Sequence, residues 1–242
     1  MRRTLAALVL LLGLMPACRH GAKSPQPAAA KAFGTALVEV GGGKQAAGIG
    51  TALDQPVVVQ VNDAQGSAVA NALVHVRVSG GGGSNPESGL TGPDGQLTAN
   101  ITLGGSAGNY EVVASTNDAA GKLIELRLDE VALGYQETLG KQLNDVYCAR
   151  CHDPESTPER VSNHDNLTAQ AHAFTEGGVL NAMSDADLTA IMAHGGPALS
   201  RSPEMPPYGF VLSKSEIAAL AAYIRAIADP PYRSKGAVYA KN

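Results

Sequence analysis

The chain has 242 residues, room for one large or two small domains. Its net charge of −4 argues against a nucleic-acid partner, which requires a basic face. Only 17% of residues are charged, Trp is absent and there are 28 Gly, a composition that suits a loop-rich exported protein better than a cytosolic enzyme.

Met1-Arg2-Arg3 is a short basic stretch, and Thr4 to Leu14 is an apolar run. A membrane span needs about 20 apolar residues, so residues 1–17 read as a signal peptide. The peptide ends in Leu14-Met15-Pro16-Ala17-Cys18, which resembles a bacterial lipobox. That resemblance implies that Cys18 is lipidated and becomes the new N-terminus, anchoring the protein to a membrane. The alternative is an ordinary signal peptide that leaves Cys18 a free thiol. Residues 18–32 follow as a flexible linker rich in Ala, Pro, Gly, Ser and Lys, with no apolar period.

From Phe33 to Val131 the pattern is that of strands. Val57, Val59 and Val61 alternate with polar or outward positions, as do Val74, Val76 and Val78. Leu97, Ala99, Ile101 and Leu103 form a third face, Tyr110, Val112 and Ala114 a fourth, and Ile124, Leu126 and Leu128 a fifth. Period-two alternation with one apolar face predicts half-buried antiparallel strands. Turn-forming clusters at 62–66, 92–95 and 117–121 separate them. About six or seven short strands over this length predict a β-sandwich.

Val59-Gln60-Val61-Asn62-Asp63-Ala64-Gln65-Gly66, Thr91-Gly92-Pro93-Asp94-Gly95-Gln96-Leu97 and Ala107-Gly108-Asn109-Tyr110-Glu111-Val112 carry a resemblance. Residues 33–131 resemble a bacterial Ig-like domain of the invasin/intimin type (group 1). The resemblance implies a fold and names no ligand.

From Gly134 the pattern becomes helical. Leu139, Leu143 and Val146 share one face of a predicted first helix that runs into Cys148. Ser184 and Asp187 mark the start of a middle helix with Leu188, Ile191 and Met192 inward and Met183 as a staple. Ser213 and Glu216 form a capping box for a last helix, with Ile217, Leu220, Ala221, Ile224 and Ile227 at helical spacing. Asp229-Pro230-Pro231 ends it, and residues 231–242 form a tail.

Cys148-Ala149-Arg150-Cys151-His152 reads C-x-x-C-H, the attachment pattern of c-type haem. Two thiols at this spacing each add across a haem vinyl group, and the adjacent His reaches the iron. A zinc site needs two further ligands at finger-like spacing, and no second Cys pair exists. A dithiol redox motif calls for a βαβ setting, which is missing. Met205, in the Pro-rich run Met205-Pro206-Pro207-Tyr208-Gly209, is the candidate second axial ligand. His164, His172 and His194 are the alternatives, for an iron held by two histidines.

The order of first helix, C-x-x-C-H, middle helix with His194-Gly195-Gly196, Met205 loop and capped last helix resembles the class I cytochromes c. The expected architecture is therefore an all-β Ig-like sandwich (33–131) followed by an all-α class I cytochrome c domain (134–230). The resemblance implies one covalently bound haem c, held by Cys148 and Cys151, with His152 and Met205 as iron ligands. It implies an electron carrier with redox protein partners, in the periplasm or at the cell surface, and no catalytic residue. The Asn144 position is often aromatic in that family, and the Gly-rich stretch that usually follows C-H is absent, so the acceptor of the His152 ring N–H has no candidate in the sequence. The rival expectation makes the Ig-like domain a binding module that docks the haem domain onto an enzyme or surface polymer.

Overall fold

A computed structural model describes residues 32–157 and 160–233. The expected signal peptide, Cys18, the linker up to residue 31, Pro158 and the tail from residue 234 lie outside the described residues. No helix among the described residues is long and apolar enough to cross a membrane.

The strands are β1 (Ala36–Gly41), β2 (Ala46–Gly48), β3 (Val57–Asn62), β4 (Leu73–Val78), β5 (Gly83–Asn85), β6 (Ser88–Leu90), β7 (Gln96–Thr102), β8 (Gly108–Asn117) and β9 (Leu123–Leu133). They form two sheets, in the orders β1-β3-β7-β5 and β2-β9-β8-β4-β6. All neighbours are antiparallel except β2 and β9. The alternating residues of β3, β4, β7 and β8 point inward and make one apolar core, including Val57, Val59, Val61, Val74, Val76, Ile101 and Val112. The β8–β9 hairpin is closed by Asp118, whose Oδ1 accepts the N–H groups of Ala120 (2.9 Å) and Lys122 (2.8 Å).

More strands form than the alternation predicts. The additional ones are β1, β2, β5 and β6, and each lies at an edge of its sheet. An edge strand has one neighbour and contributes little to the core, so it carries little apolar period. Only Leu37 is buried in β1, and β5 and β6 bury nothing.

β9 runs through Gly134 directly into α1 (Tyr135–Tyr147). Leu133, at the end of β9, is fully buried and belongs to the core of the helical region, where Ala46 and Val131 also pack. Lys141 Nζ on α1 reaches Asp54 Oδ2 at 3.0 Å. After α1 come α2 (Ala149–His152), α3 (Gly177–Leu180), α4 (Asp185–His194) and α5 (Lys214–Ile227), with short 3₁₀ turns at His164–Asn166 and Gly196–Leu199.

The buried face of α1 differs from the one its leucines predict. Of the predicted face, Leu143 packs on the helical core, whereas Leu139 and Val146 are 40% and 73% exposed and Gly140 and Asn144 are the buried positions. The reason is how closely α1 approaches α5. A Cβ on Gly140 would lie 2.1 Å from the Ala219 carbonyl oxygen and 2.6 Å from Tyr223 Cβ. Only a residue without a side chain admits that approach, so the crossing selects the Gly140 face over the leucine face. The cap of α5 forms as predicted: Ser213 N–H donates to Glu216 Oε2 (2.7 Å) and Glu216 N–H to Ser213 Oγ (3.3 Å). At α4, Ser184 Oγ accepts the Asp187 N–H at 3.0 Å. Leu188 and Met192 are buried on its inner face.

Candidate functional site

The C-x-x-C-H segment lies where α1 passes into the single turn of α2. The N–H groups of Cys151 and His152 both donate to the Cys148 carbonyl at 3.0 Å. Helical spacing therefore sets Cys148, Cys151 and His152 on one side of a short turn. Cys148 is buried, Cys151 is half-buried, and neither forms a disulfide. Burial foremost, then the neighbouring Cys151 and Asp145, pushes the Cys148 thiol up to about 12, so it stays protonated at neutral pH.

His152 is fixed on two sides. Its ring stacks on Phe174, with centroids 4.4 Å apart and planes 26° from parallel. Its Nδ1 lies 2.8 Å from the backbone carbonyl oxygen of His172. A carbonyl only accepts, so Nδ1 carries the proton and Nε2 keeps its lone pair. This is the arrangement by which a metal-binding imidazole is oriented. Burial, the largest cause, holds the His152 pKa below the ordinary value, which keeps the ring neutral.

The chain between His152 and His172 folds back to deliver that carbonyl. Arg160 donates to the Ala149 carbonyl (3.1 Å) and pairs with Asp153. Ser162 Oγ donates to the Asp153 carbonyl (2.7 Å), and the Asn163 N–H donates to that of Arg150 (2.7 Å). The acceptor is a main-chain atom twenty residues downstream, so no side-chain pattern marks it in the sequence. The stacking partner Phe174 is likewise an isolated aromatic with no periodic neighbours.

Met205 lies between α4 and α5. Its carbonyl accepts the Gly196 N–H at 3.0 Å. Gly195 adopts φ +81°, and a Cβ there would come within 2.9 Å of the Met205 oxygen. After Pro206 and Pro207, which have no N–H, Tyr208 N–H donates to the Met192 carbonyl (3.0 Å) and Tyr208 Oη to the Tyr147 carbonyl (2.8 Å). The loop is thus tied to α4 on one side and to the end of α1 on the other.

Cys148, Cys151, His152 and Met205 all line one cavity of about 800 Å³. That volume is within the range of about 300–1,000 Å³ of small-molecule and cofactor sites. Its walls are mainly apolar, with Phe174, Leu188, Met192, Leu220 and Ile224 among them. An apolar chamber with two thiols, an oriented imidazole and a thioether fits a haem by volume and by the chemistry of its donors.

The other histidines are placed differently. Both ring nitrogens of His164 are engaged, Nδ1 with Asp165 (2.9 Å) and Nε2 with the Ala171 carbonyl (3.0 Å), and the residue does not line the cavity. His172 lines it, but its Nδ1 lies 2.8 Å from Glu176 Oε2. His194 is exposed at the end of α4 and outside the cavity lining, and His75 is exposed on β4. Met183 and Met192 also line the cavity, from the start and the buried face of α4. No cluster of three or more His, Cys, Asp or Glu residues suited to a metal ion occurs among the described residues.

Residues 136–224 match the family model described as cytochrome C oxidase, cbb3-type, subunit III, a c-type cytochrome domain. No curated protein matches the chain. Among solved structures, the D0–D1 domain of intimin is 18% identical, covers 43% of this chain and 49% of its own, with a TM-score of 0.33. The D00–D0 domain of intimin is 19% identical over 43% of this chain and 48% of its own, with a TM-score of 0.32. The Yersinia pseudotuberculosis adhesin InvE is 14% identical over 41% of this chain and 32% of its own, with a TM-score of 0.31. The chain spans about half the length of the intimin structures it matches.

Proposed function

We propose, from the c-type cytochrome match over residues 136–224, that the helical region is a class I cytochrome c domain carrying one covalently bound haem c. Cys148 and Cys151 would form the thioether bonds, and His152 and Met205 would ligate the iron. The observation that carries this reading is the oriented imidazole: His152 donates from Nδ1 to the His172 carbonyl and lines the same cavity as both thiols and the Met205 loop.

When bound, the haem supplies a one-electron couple. The rest is done by this chain's own residues. His152 is held neutral and stacked on Phe174. The apolar walls would shield the group from water, and Met205 would fill a coordination position that a substrate could otherwise take. A Met/His pair raises the potential relative to a His/His pair and leaves no open position, which suits a carrier and not a catalyst.

The chain is read as an exported protein anchored to a membrane through Cys18, with residues 33–131 as an Ig-like spacer, passing single electrons between redox proteins of the periplasm or cell surface. Support for export and anchoring comes from the leader and lipobox alone; fractionation of Cys18→Ala tests them, and retention in the membrane fraction would count against the anchor. For the haem site, the test is the visible spectrum of Met205→Ala holoprotein. The ferric band arising from a Met sulfur is expected in the native protein and absent in the variant. An unchanged spectrum would refute Met205 as ligand, and a haem extractable by acidified solvent would refute covalent attachment.

A further inference from the structure

We propose that Glu204 is a positioning residue, whose carboxylate latches the Met205 loop to the 168–169 segment and so holds the thioether against displacement. The proposal rests on the haem reading above. Glu204 Oε2 accepts the N–H of Thr168 at 3.0 Å and that of Ala169 at 3.4 Å. Oε1 accepts the Thr168 N–H at 3.2 Å and its hydroxyl at 3.3 Å. Ser202 Oγ donates to Oε2 at 3.4 Å and accepts the Glu204 N–H at 3.2 Å, which fixes the rotamer from its own side. One carboxylate thus gathers donors from a segment 36 residues away, with both segments contributing to the wall of the same cavity.

The neighbouring residues explain why this tie matters. Pro203, Pro206 and Pro207 provide no N–H, and the Met205 N–H makes only a long bond of 3.4 Å to Ser202. Among the described residues, Glu204 makes the sole side-chain hydrogen bonds that tie residues 203–207 to a distant segment. The adjacent residue is the candidate ligand. A carboxylate accepting backbone N–H groups makes charge-assisted bonds, stronger than neutral ones. Removing them leaves Met205 held by its own carbonyl's bond to the Gly196 N–H but unties the loop from the 168–169 segment, so an external ligand competes more readily with the Met205 side chain.

The test uses full-length holoprotein, native and with Glu204→Ala, Glu204→Gln and Met205→Ala. Imidazole is titrated against the ferric protein while the Met-sulfur band is followed, and the reduction potential and urea midpoint are measured alongside. Glu204→Ala is expected to keep the band without imidazole, to bind imidazole about 10- to 100-fold more tightly than native, and to lower the urea midpoint by no more than that affinity change implies. Glu204→Gln, which keeps an acceptor oxygen but not the charge, should fall between them. Native imidazole affinity and potential in Glu204→Ala, with the band lost in Met205→Ala, would overturn the latch and leave the haem reading intact. A band that persists in Met205→Ala would overturn the haem ligation and the latch with it. If Glu204→Ala yields no holoprotein, Glu204→Asp, one methylene short of Thr168, decides by the same affinity criterion.

Discussion

The two halves of the molecule bury their apolar residues in different ways. In the sandwich, inward side chains from both sheets meet each other, and Val57, Val59, Val61, Val74 and Val112 are each at most 1% exposed. In the helical half, Leu188, Met192, Leu220 and Ile224 belong to the core and at the same time line a cavity of about 800 Å³. The sandwich core is filled by its own side chains, whereas the helical half is shaped around a volume of cofactor size. Stability should follow that difference, because a group that binds only the folded state stabilises it by mass action. The largest expected effect is therefore that of replacing both Cys148 and Cys151 with Ser. Hydrogen exchange should show α4 and α5 losing about 3 kcal/mol or more of protection, while the amides of β3 and β8 keep theirs. Equal losses in both halves would break the comparison.

Within the sandwich Glu130 is the buried residue that carries a carboxyl side chain, among the described residues, and it provides the next test. Glu130 on β9 is 0% exposed and points inward in line with Leu126 and Leu128. Its Oε2 accepts the Gln45 N–H at 2.7 Å, and its Oε1 has no hydrogen-bond partner. Burial, with smaller contributions from Glu39 and Asp129, pushes its carboxyl from 4.5 to about 7. The folded state therefore holds a proton that the unfolded state releases above about pH 4.5. Stability from this group is fully present below that pH, falls as pH rises and levels off above about 7, a total loss of about 3 kcal/mol. Urea unfolding of the sandwich between pH 4 and 8 should show that slope in the native chain and a flat profile in Glu130→Gln. An equal slope in both would assign the pH dependence to other groups.

The sequence made this much of the molecule legible for physical reasons. Central strands have neighbours on both sides and one face on the core, so β3, β4 and β7 alternate clearly, while β8 is buried on both faces from Val112 to Thr116. The edge strands β1, β2, β5 and β6 lack that constraint, and period counting passes over them. Glu130 was within reach of the same logic, since the alternation from Ile124 through Leu128 continues to it; its charge hides it. At the site, Cys148, Cys151, His152 and Met205 are side-chain chemistry at fixed spacing and can be read from the letters. The His172 carbonyl and the Glu204 ties depend on how residues 153–172 fold back, and contacts to main-chain atoms carry no residue signature.

The smallest of the three effects tests how the helical half holds its shape apart from the cavity. Leucine periodicity favours the Leu139–Val146 face of α1, yet Gly140 and Asn144 are its buried residues, with Gly140 set against α5. If backbone approach decides the crossing, then Gly140→Ala must push the helices apart even though alanine favours helix by about 1 kcal/mol over glycine. Its Cβ would meet a backbone oxygen at 2.1 Å and the Tyr223 Cβ at 2.6 Å, and the Ala219 carbonyl cannot rotate away. The expected net cost is about 1–3 kcal/mol, as for overpacking in a rigid core, read as a lower urea midpoint for the helical half alone. Gly178, whose Cβ would meet nothing within 4 Å, is the control on a short helix of the same half, and its Ala variant should be neutral or slightly stabilising. A stabilised Gly140→Ala would mean that helix propensity governs α1, and the leucine face would then be the one that the sequence rightly favoured.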